Sequence, residues 1–186
     1  MITSADNPAT ITLLLGGARS GKSALAVELA TRRDLPVTFV ATSEPIPGDH
    51  DLDNRVARHR AERPQEWLTI EEPIELAAAI ERVDTPVMIL DCLTVWIGNL
   101  MHHGYAEVAA LEFSFEALAA SRRKKLHVIA ISNEVGLGIV PDNQLARQFR
   151  DLLGRTNQMW AAAADHSLLL IAGRAVSLNT AQELLP

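Results

Sequence analysis

One cysteine, Cys92, stands alone in 186 residues. An internal disulfide is therefore impossible and a thiolate-rich zinc site is excluded, so Cys92 reads as a small buried hydrophobe in a reducing compartment. No H-x-x-x-H pattern offers imidazoles to a metal either. Lysine is scarce: of 17 basic residues only Lys22, Lys124 and Lys125 are lysines, and the formal net charge is -6. That balance argues against general nucleic-acid binding, which needs a broad basic surface. The run RRKK at 122–125 fits a solvated helix C-terminus, where cations complement the helix dipole. No apolar run reaches the length of a membrane span, and the start MITSADNPATITLLLGG has neither the basic segment nor the long apolar segment of a secretory signal. Together these absences predict a soluble, cytoplasmic protein.

The chain is 48% hydrophobic and 22% charged, ordinary for a globular protein of this length with a sizeable core. Repeats, low-complexity tracts and linkers are lacking, which predicts one nucleotide-binding domain over 1–186, with flexible ends at 1–9 and 179–186. Short aliphatic runs alternate with longer helical stretches. Buried strands are expected at 9–15, 35–42, 86–91, 126–132 and 166–173, with a short extended piece at 67–70. Helices are expected at 21–33, over about 52–63 up to Pro64, from Pro73 through Val83, and at 93–103, 105–125 and 142–164. Continuous apolar strands between helices imply an α/β fold: a doubly wound, mostly parallel sheet with helices on both faces.

At the first strand-to-helix junction stands GGARSGKS, comprising Gly16, Gly17, Ala18, Arg19, Ser20, Gly21, Lys22 and Ser23. It satisfies the P-loop pattern. Glycines let backbone N–H groups turn inward around phosphates, Lys22 reaches the β and γ phosphates, and the Ser23 hydroxyl ligates Mg²⁺. Asp91 ends the strand VMILD, where P-loop proteins place a second carboxylate for that ion; an aspartate there can equally cap the next helix.

The stretch RVARHRAERPQEW, residues 55–67, gathers four arginines around His59. On a helix, Arg55, His59 and Arg63 share a face. Nearby guanidinium groups disfavour imidazolium, leaving a neutral ring with a free lone pair, which is the form a nucleophile needs. The same arginines can hold a polyphosphate and stabilise charge at an attacked phosphorus. A solvated Arg-rich helix explains the same residues without chemistry. The loop NEVGLGIVPDN reads either as a Gly-hinged cover over a substrate, with Asn133 and Glu134 facing the nucleotide, or as a tight turn and helix cap.

These phrases, with ATSE at 41–44, EEP at 71–73, LDCLTVWIGNLM at 90–101 and SNEVGLGIVPDNQLARQFRDLLGRTNQMWAAAAD at 132–165, closely resemble the bifunctional adenosylcobinamide kinase/adenosylcobinamide-phosphate guanylyltransferases of cobalamin biosynthesis. The resemblance runs from about residue 10 to about 173. It implies a P-loop NTPase-like fold and two reactions. ATP or GTP phosphorylates the corrinoid adenosylcobinamide; GTP then guanylylates a histidine, which passes GMP to adenosylcobinamide phosphate to give adenosylcobinamide-GDP. By the same resemblance the guanylylated residue is His59, with Lys22 catalytic in the cradle. Nucleotide contacts fall on residues 16–23, Thr42, Ser43, Glu44, Arg60, Ala61, Glu62, Arg63, Glu71 and Asp91, and Mg²⁺ on Ser23 and Asp91. A homo-oligomer, a trimer with the site near a subunit boundary, is also implied. The chain departs from the pattern in ADHSLLLIAGRAVSLN, where His166 and Arg174 replace the expected residues.

Two other readings stand beside this one. A P-loop kinase of a small metabolite would form no covalent intermediate and use His59 only to bind phosphate. A nucleotide-dependent switch would lack its usual guanine-reading N-K-x-D signature here and would need a protein partner.

Overall fold

The computed structural model describes residues 9–45, 60–61 and 63–184. Its frame is a seven-stranded sheet: β1 (Ile11–Gly16), β2 (Val37–Ala41), β3 (Leu68–Glu71), β4 (Val87–Asp91), β5 (His127–Ile131), β6 (His166–Ile171) and β7 (Arg174–Ser177). The helices are α1 (Lys22–Thr31), α2 (Leu76–Glu81), α3 (Leu93–His102), α4 (Glu107–Arg123), α5 (Gln144–Ala163) and the short α6 (Ala181–Leu184). Strand order is β3-β2-β4-β5-β1-β6-β7. Every pairing is parallel except that of β6 with β7. The doubly wound, mostly parallel sheet expected from the sequence is therefore present, closed at one edge by a hairpin.

The central strands are aliphatic along their whole length because both faces are covered. In β1 the alternation separates two cores. Ile11, Leu13 and Leu15 join the larger one with residues of α2, α3, α4 and α5, including Trp96 and Trp160. Leu14 joins the smaller one with Ala26 and Ala30 of α1, Phe39 of β2 and Leu170 of β6. Both buried indoles find acceptors, Trp96 Nε1 donating to the Ile74 carbonyl at 2.9 Å and Trp160 Nε1 to Ser114 Oγ at 3.4 Å. Neither aromatic thus carries the cost of an unpaired buried N–H.

Helix ends follow local chemistry. Asn143 caps α5, its Oδ1 accepting from Ala146 N at 2.7 Å. The Glu72 carboxylate takes the Ile74 and Glu75 N–H groups at 3.2 and 3.0 Å, so the turn after β3 is organised before α2 begins at Leu76. Among the described residues no helix is long and apolar enough to cross a membrane.

At the amino ends of the strands, opposite the end that carries the loop after β1, lies a polar cluster. His127 is 6% exposed; Thr10 Oγ1 lies 3.1 Å from its Nδ1 and accepts from Arg33 Nη2 at 3.0 Å. Burial, and then the Arg33 charge, hold the His127 imidazole below its ordinary value of 6.5. Nearby, the Asp165 carboxylate accepts from Ile11 N at 2.7 Å and pairs with Arg122 at 3.2 Å. The backbone bond, then Arg122, holds it below its ordinary 3.8 despite opposing desolvation.

The two groups act in separate pH windows. Below 6.5 the unfolded chain protonates His127 while the folded protein resists, so stability falls with pH from there. Asp165 contributes stability that is fully present above 3.8 and is lost below it. Urea unfolding of His127→Gln should therefore show a flatter decline just below pH 6.5 than the parent, with the steeper loss below pH 3.8 retained. Identical slopes in parent and variant would contradict the assignment.

Candidate active site

Parallel sheets gather their strand carboxyl ends on one edge, where α/β proteins bind ligands. Gly16, Ala41, Glu71, Asp91 and Ile131 all lie there, at the ends of their strands. At the end of β1 the chain must turn back into α1 within five residues. Gly16 has φ +148°, and a Cβ at its position would stand 2.4 Å from the Leu170 carbonyl oxygen; only glycine lets β1 run this close to β6. The turn is also tied to the β6–β7 hairpin, since Gly173 N donates to the Ser20 carbonyl at 2.9 Å.

Residues 16–23 run from the last residue of β1 through the loop 17–21 into the first turn of α1, as the motif predicts. Gly17, Ala18 and Arg19 face solvent, while Ser20 and Lys22 are buried. Lys22 Nζ donates to the Gly16 carbonyl at 2.9 Å, the Gly17 carbonyl at 2.7 Å and Ser20 Oγ at 3.3 Å. Its ammonium is thus held across the mouth of the loop. Burial lowers its pKa, and the charge of the Asp91 carboxylate opposes the shift, which brings that carboxylate into the same electrostatic site. Gly21 precedes α1 and Ser23 lies in its first turn. A serine hydroxyl and a carboxylate are hard oxygen donors suited to Mg²⁺, an ion usually held by one or two protein groups plus phosphate oxygens. Among the described residues no group of three or more His, Cys, Asp or Glu side chains gathers for a metal.

Beside the cradle, two polar ties fix the edge. Thr42 is 0% exposed. Its hydroxyl donates to the Cys92 carbonyl and accepts from Cys92 N, both at 2.9 Å, and its N–H donates to the Asp91 carbonyl at 3.1 Å. Asn99 Nδ2 donates to the Thr42 and Pro73 carbonyls at 2.7 and 3.1 Å. Thr42, singled out as a nucleotide contact, thus has its hydroxyl committed to holding β2 against the end of β4. The Asp91–Cys92 peptide bond is cis. Burial pushes the Cys92 thiol up to about 12, with Asp91 adding to the effect, so it stays protonated and unreactive near neutral pH.

The second tie holds the end of β5. Thr94 Oγ1 accepts from Asn133 N at 2.7 Å, Ser132 Oγ donates to Asn157 Oδ1 at 2.6 Å, and Asn157 Nδ2 donates to the Asn133 carbonyl at 3.0 Å. Glu134 N reaches the Gly16 carbonyl at 3.2 Å, joining this segment to the cradle. The Glu134 carboxylate accepts from Gly136 N at 2.5 Å, a local turn. Asn99 and Asn157 escaped the sequence reading: each lies inside a helix and its partners are distant in the chain.

Arg60 and Arg63, the described arginines of the stretch 55–67, lie toward the other end of the edge. His59 and Glu62, with Arg55 and Arg58, lie outside the described residues. Arg60 Nη2 stands 3.8 Å from Glu71 Oε1 at the end of β3, and both are exposed, so the pair contributes little stability. Ala61 is exposed. The Arg63 guanidinium lies over the Phe39 ring, 3.2 Å from its centroid. Ser43 is half-buried beyond β2, and Glu44 Oε2 pairs with His103 Nε2 at 3.0 Å. The structure thus joins Arg60 to Glu71 at the end of β3, and Lys22 electrostatically to Asp91 at the end of β4, with only β2 between those two strands, whereas the loop itself leaves the sheet from β1. Strands β5, β4 and β2 intervene between β1 and β3, about 19 Å at ordinary strand spacing.

Comparison with known proteins gives this geometry a context. The family model described as cobinamide kinase / cobinamide phosphate guanyltransferase matches residues 12–178. The bifunctional adenosylcobalamin biosynthesis protein CobP of Pseudomonas aeruginosa is 38% identical over 170 residues, covering 90% of this chain and 96% of its own. The corresponding CobU protein of Escherichia coli K12 is 36% identical over 181 residues, covering 90% and 98%. Among solved structures, the RadB recombinase superposes with TM-score 0.51 at 16% identity, covering 87% of this chain and 74% of that one. An ATPase from the type III secretion system gives 0.54 at 11% identity, covering 95% and 62%. At such identities these two speak for the fold alone, a P-loop NTPase sheet.

The Thr42 tie makes a specific demand. Thr42→Val keeps the shape but leaves the Cys92 N–H and carbonyl without their partner, and should cost about 1–3 kcal/mol in urea unfolding. Thr42→Ser should recover most of that loss; equal stability of the valine variant and the parent would refute the role.

Proposed function

The chain belongs to the cobinamide kinase / cobinamide phosphate guanyltransferase family, and from that premise we propose that it catalyses both reactions, phosphorylating cobinamide with ATP or GTP and then moving GMP from GTP onto the phosphorylated product. The observation that carries the reading is the cradle itself. A P-loop stands at the carboxyl end of β1, with Lys22 bonded across its mouth and Asp91 acting on the same ammonium.

In the first reaction the loop N–H groups and Lys22 bind the triphosphate and stabilise charge on the β and γ phosphates. The acceptor hydroxyl attacks the γ phosphorus, a new O–P bond forms, and the bond to the β–γ bridging oxygen breaks. Ser23 and Asp91 would hold Mg²⁺, which would supply further neutralisation of the phosphate charge. In the second reaction a neutral His59 attacks the α phosphorus of GTP and releases pyrophosphate. A phosphate oxygen of the acceptor then displaces the histidine, giving a new pyrophosphate link. Arg60 and Arg63 supply positive charge for the phosphates of that nucleotide, and Glu71 orients Arg60. Thr42, Ser43 and Glu44 belong to the same side of the edge, with Thr42 positioning rather than touching. The enzyme works in the cytoplasm as a homo-oligomer, a trimer, on small-molecule substrates.

The separation between cradle and Arg60 divides this mechanism into testable halves. With one cradle serving both reactions, His59 must reach a GTP seated on Lys22, and Lys22→Ala should lose both activities. Loss of phosphorylation alone would instead assign guanylyl transfer to a second nucleotide position beside Arg60 and Glu71.

Incubation with Mg²⁺ and GTP labelled on the α phosphate should leave acid-labile, base-stable label on the denatured protein, and His59→Asn should abolish it. Label that persists in that variant, or never forms in the parent, would overturn the covalent route. A kinase without a covalent intermediate would then remain, marked by transfer of the γ phosphate to cobinamide.

A further inference from the structure

The segment after β5 carries a feature that the nucleotide chemistry does not use. Val135, Leu137, Ile139 and Val140 are 37, 83, 98 and 63% exposed. Four aliphatic side chains in six residues therefore stand in water, although each would gain by burial. Both ends of the segment are fixed. At its start, Asn133 is held by Thr94 and Asn157, and Glu134 N is bonded to the Gly16 carbonyl of the cradle. At its end, Arg147 Nη1 donates to the Pro141 and Asp142 carbonyls at 2.9 and 2.7 Å, beside the Asn143 cap of α5. The fold thus presents an apolar surface on anchored roots, and does so next to the P-loop.

Position identifies what covers it. Strand β5 is the immediate neighbour of β1, so the segment leaves the sheet about 4.8 Å from the strand that ends in the phosphate cradle. The nucleotide occupies the cradle through charge and N–H groups, and has no use for four aliphatic side chains. The acceptor of the phosphoryl group must bring its hydroxyl to the γ phosphate at that place. On the reading given above, the acceptor is a corrinoid, whose bulk is a broad macrocycle edged with methyl groups and uncharged amides. We propose that Leu137 and Ile139, with Val135 and Val140, form the platform on which the corrin macrocycle rests while its alcohol arm enters the cradle. The inference rests on the cobinamide reading and adds to it the residues that select the acceptor. Complementarity is apolar: the platform's exposed side chains carry no charge to attract a polyanion, and the macrocycle replaces the water they now face.

The double variant Leu137→Gln/Ile139→Gln tests this, because side chains so exposed can be exchanged without disturbing the core. Binding of cobinamide is followed by equilibrium dialysis through its visible absorption, and steady-state kinetics give KM for cobinamide and for GTP. The Kd and KM for cobinamide should rise by at least about tenfold, as expected for losing two apolar contacts. KM for GTP, the melting temperature and the sedimentation mass should stay as in the parent. An unchanged cobinamide affinity in the variant would overturn the platform while leaving the kinase reading intact. A shift in mass, with both KM values moving together, would overturn it in favour of an interface between copies of the chain. Absence of cobinamide binding by the parent protein would refute the acceptor itself, and the platform with it.

Discussion

The close approach of β1 to β6 at Gly16 is the constraint on which the site depends. Because no Cβ fits against the Leu170 carbonyl, the backbone can leave the sheet there and turn at once into the phosphate loop. The loop carbonyls then converge on one ammonium, and Lys22 becomes the fixed point of the cradle. A larger residue at Gly16 would push the turn away from β6 and spoil the convergence, whatever the rest of the motif contained. Charge, metal affinity and acceptor placement all presuppose that one contact.

Around it the protein spends uncharged hydrogen bonds rather than ion pairs. Thr42, Asn99, Ser132 and Asn157 are short, neutral side chains whose bonds are mostly to backbone. Neutral groups suit a site that must admit a highly charged nucleotide, since a buried ion pair beside it would be re-polarised each time the ligand came and went. The ion pairs of the described residues lie mostly on exposed side chains, as with Arg60 and Glu71, where water screens them.

Much of this frame was legible because its physics is local. A continuous aliphatic run such as ITLLL followed by a glycine-rich turn and an Ala-rich helix has few alternatives, and the family phrases extended that certainty to the carboxyl edge. The hairpin strand β7 was not read: Arg174–Ser177 is four residues long and wholly exposed, and its turn needs Ala172 at φ +51°, a conformation that alanine does not announce. Thr42 falls among the nucleotide contacts that the family resemblance implies, and no local pattern tells that its hydroxyl is bonded to Cys92, 50 residues away. Asn157 falls on a helix whose pattern explains it as one more turn of the buried face, and only the fold brings it to Asn133. The separation of Arg60 from the P-loop likewise depends on strand order, which no motif encodes.

The tie between Gly173 and Ser20 has a consequence for how the protein is made. The strand that walls the phosphate loop, β6, and the turn that clasps it are made about 150 residues after the loop itself. With synthesis at roughly 5–20 residues per second, the loop waits on the order of ten seconds before its partners exist. The cradle therefore takes its clasped form only once β6 and the turn at Gly173 exist, as a property of the assembled sheet.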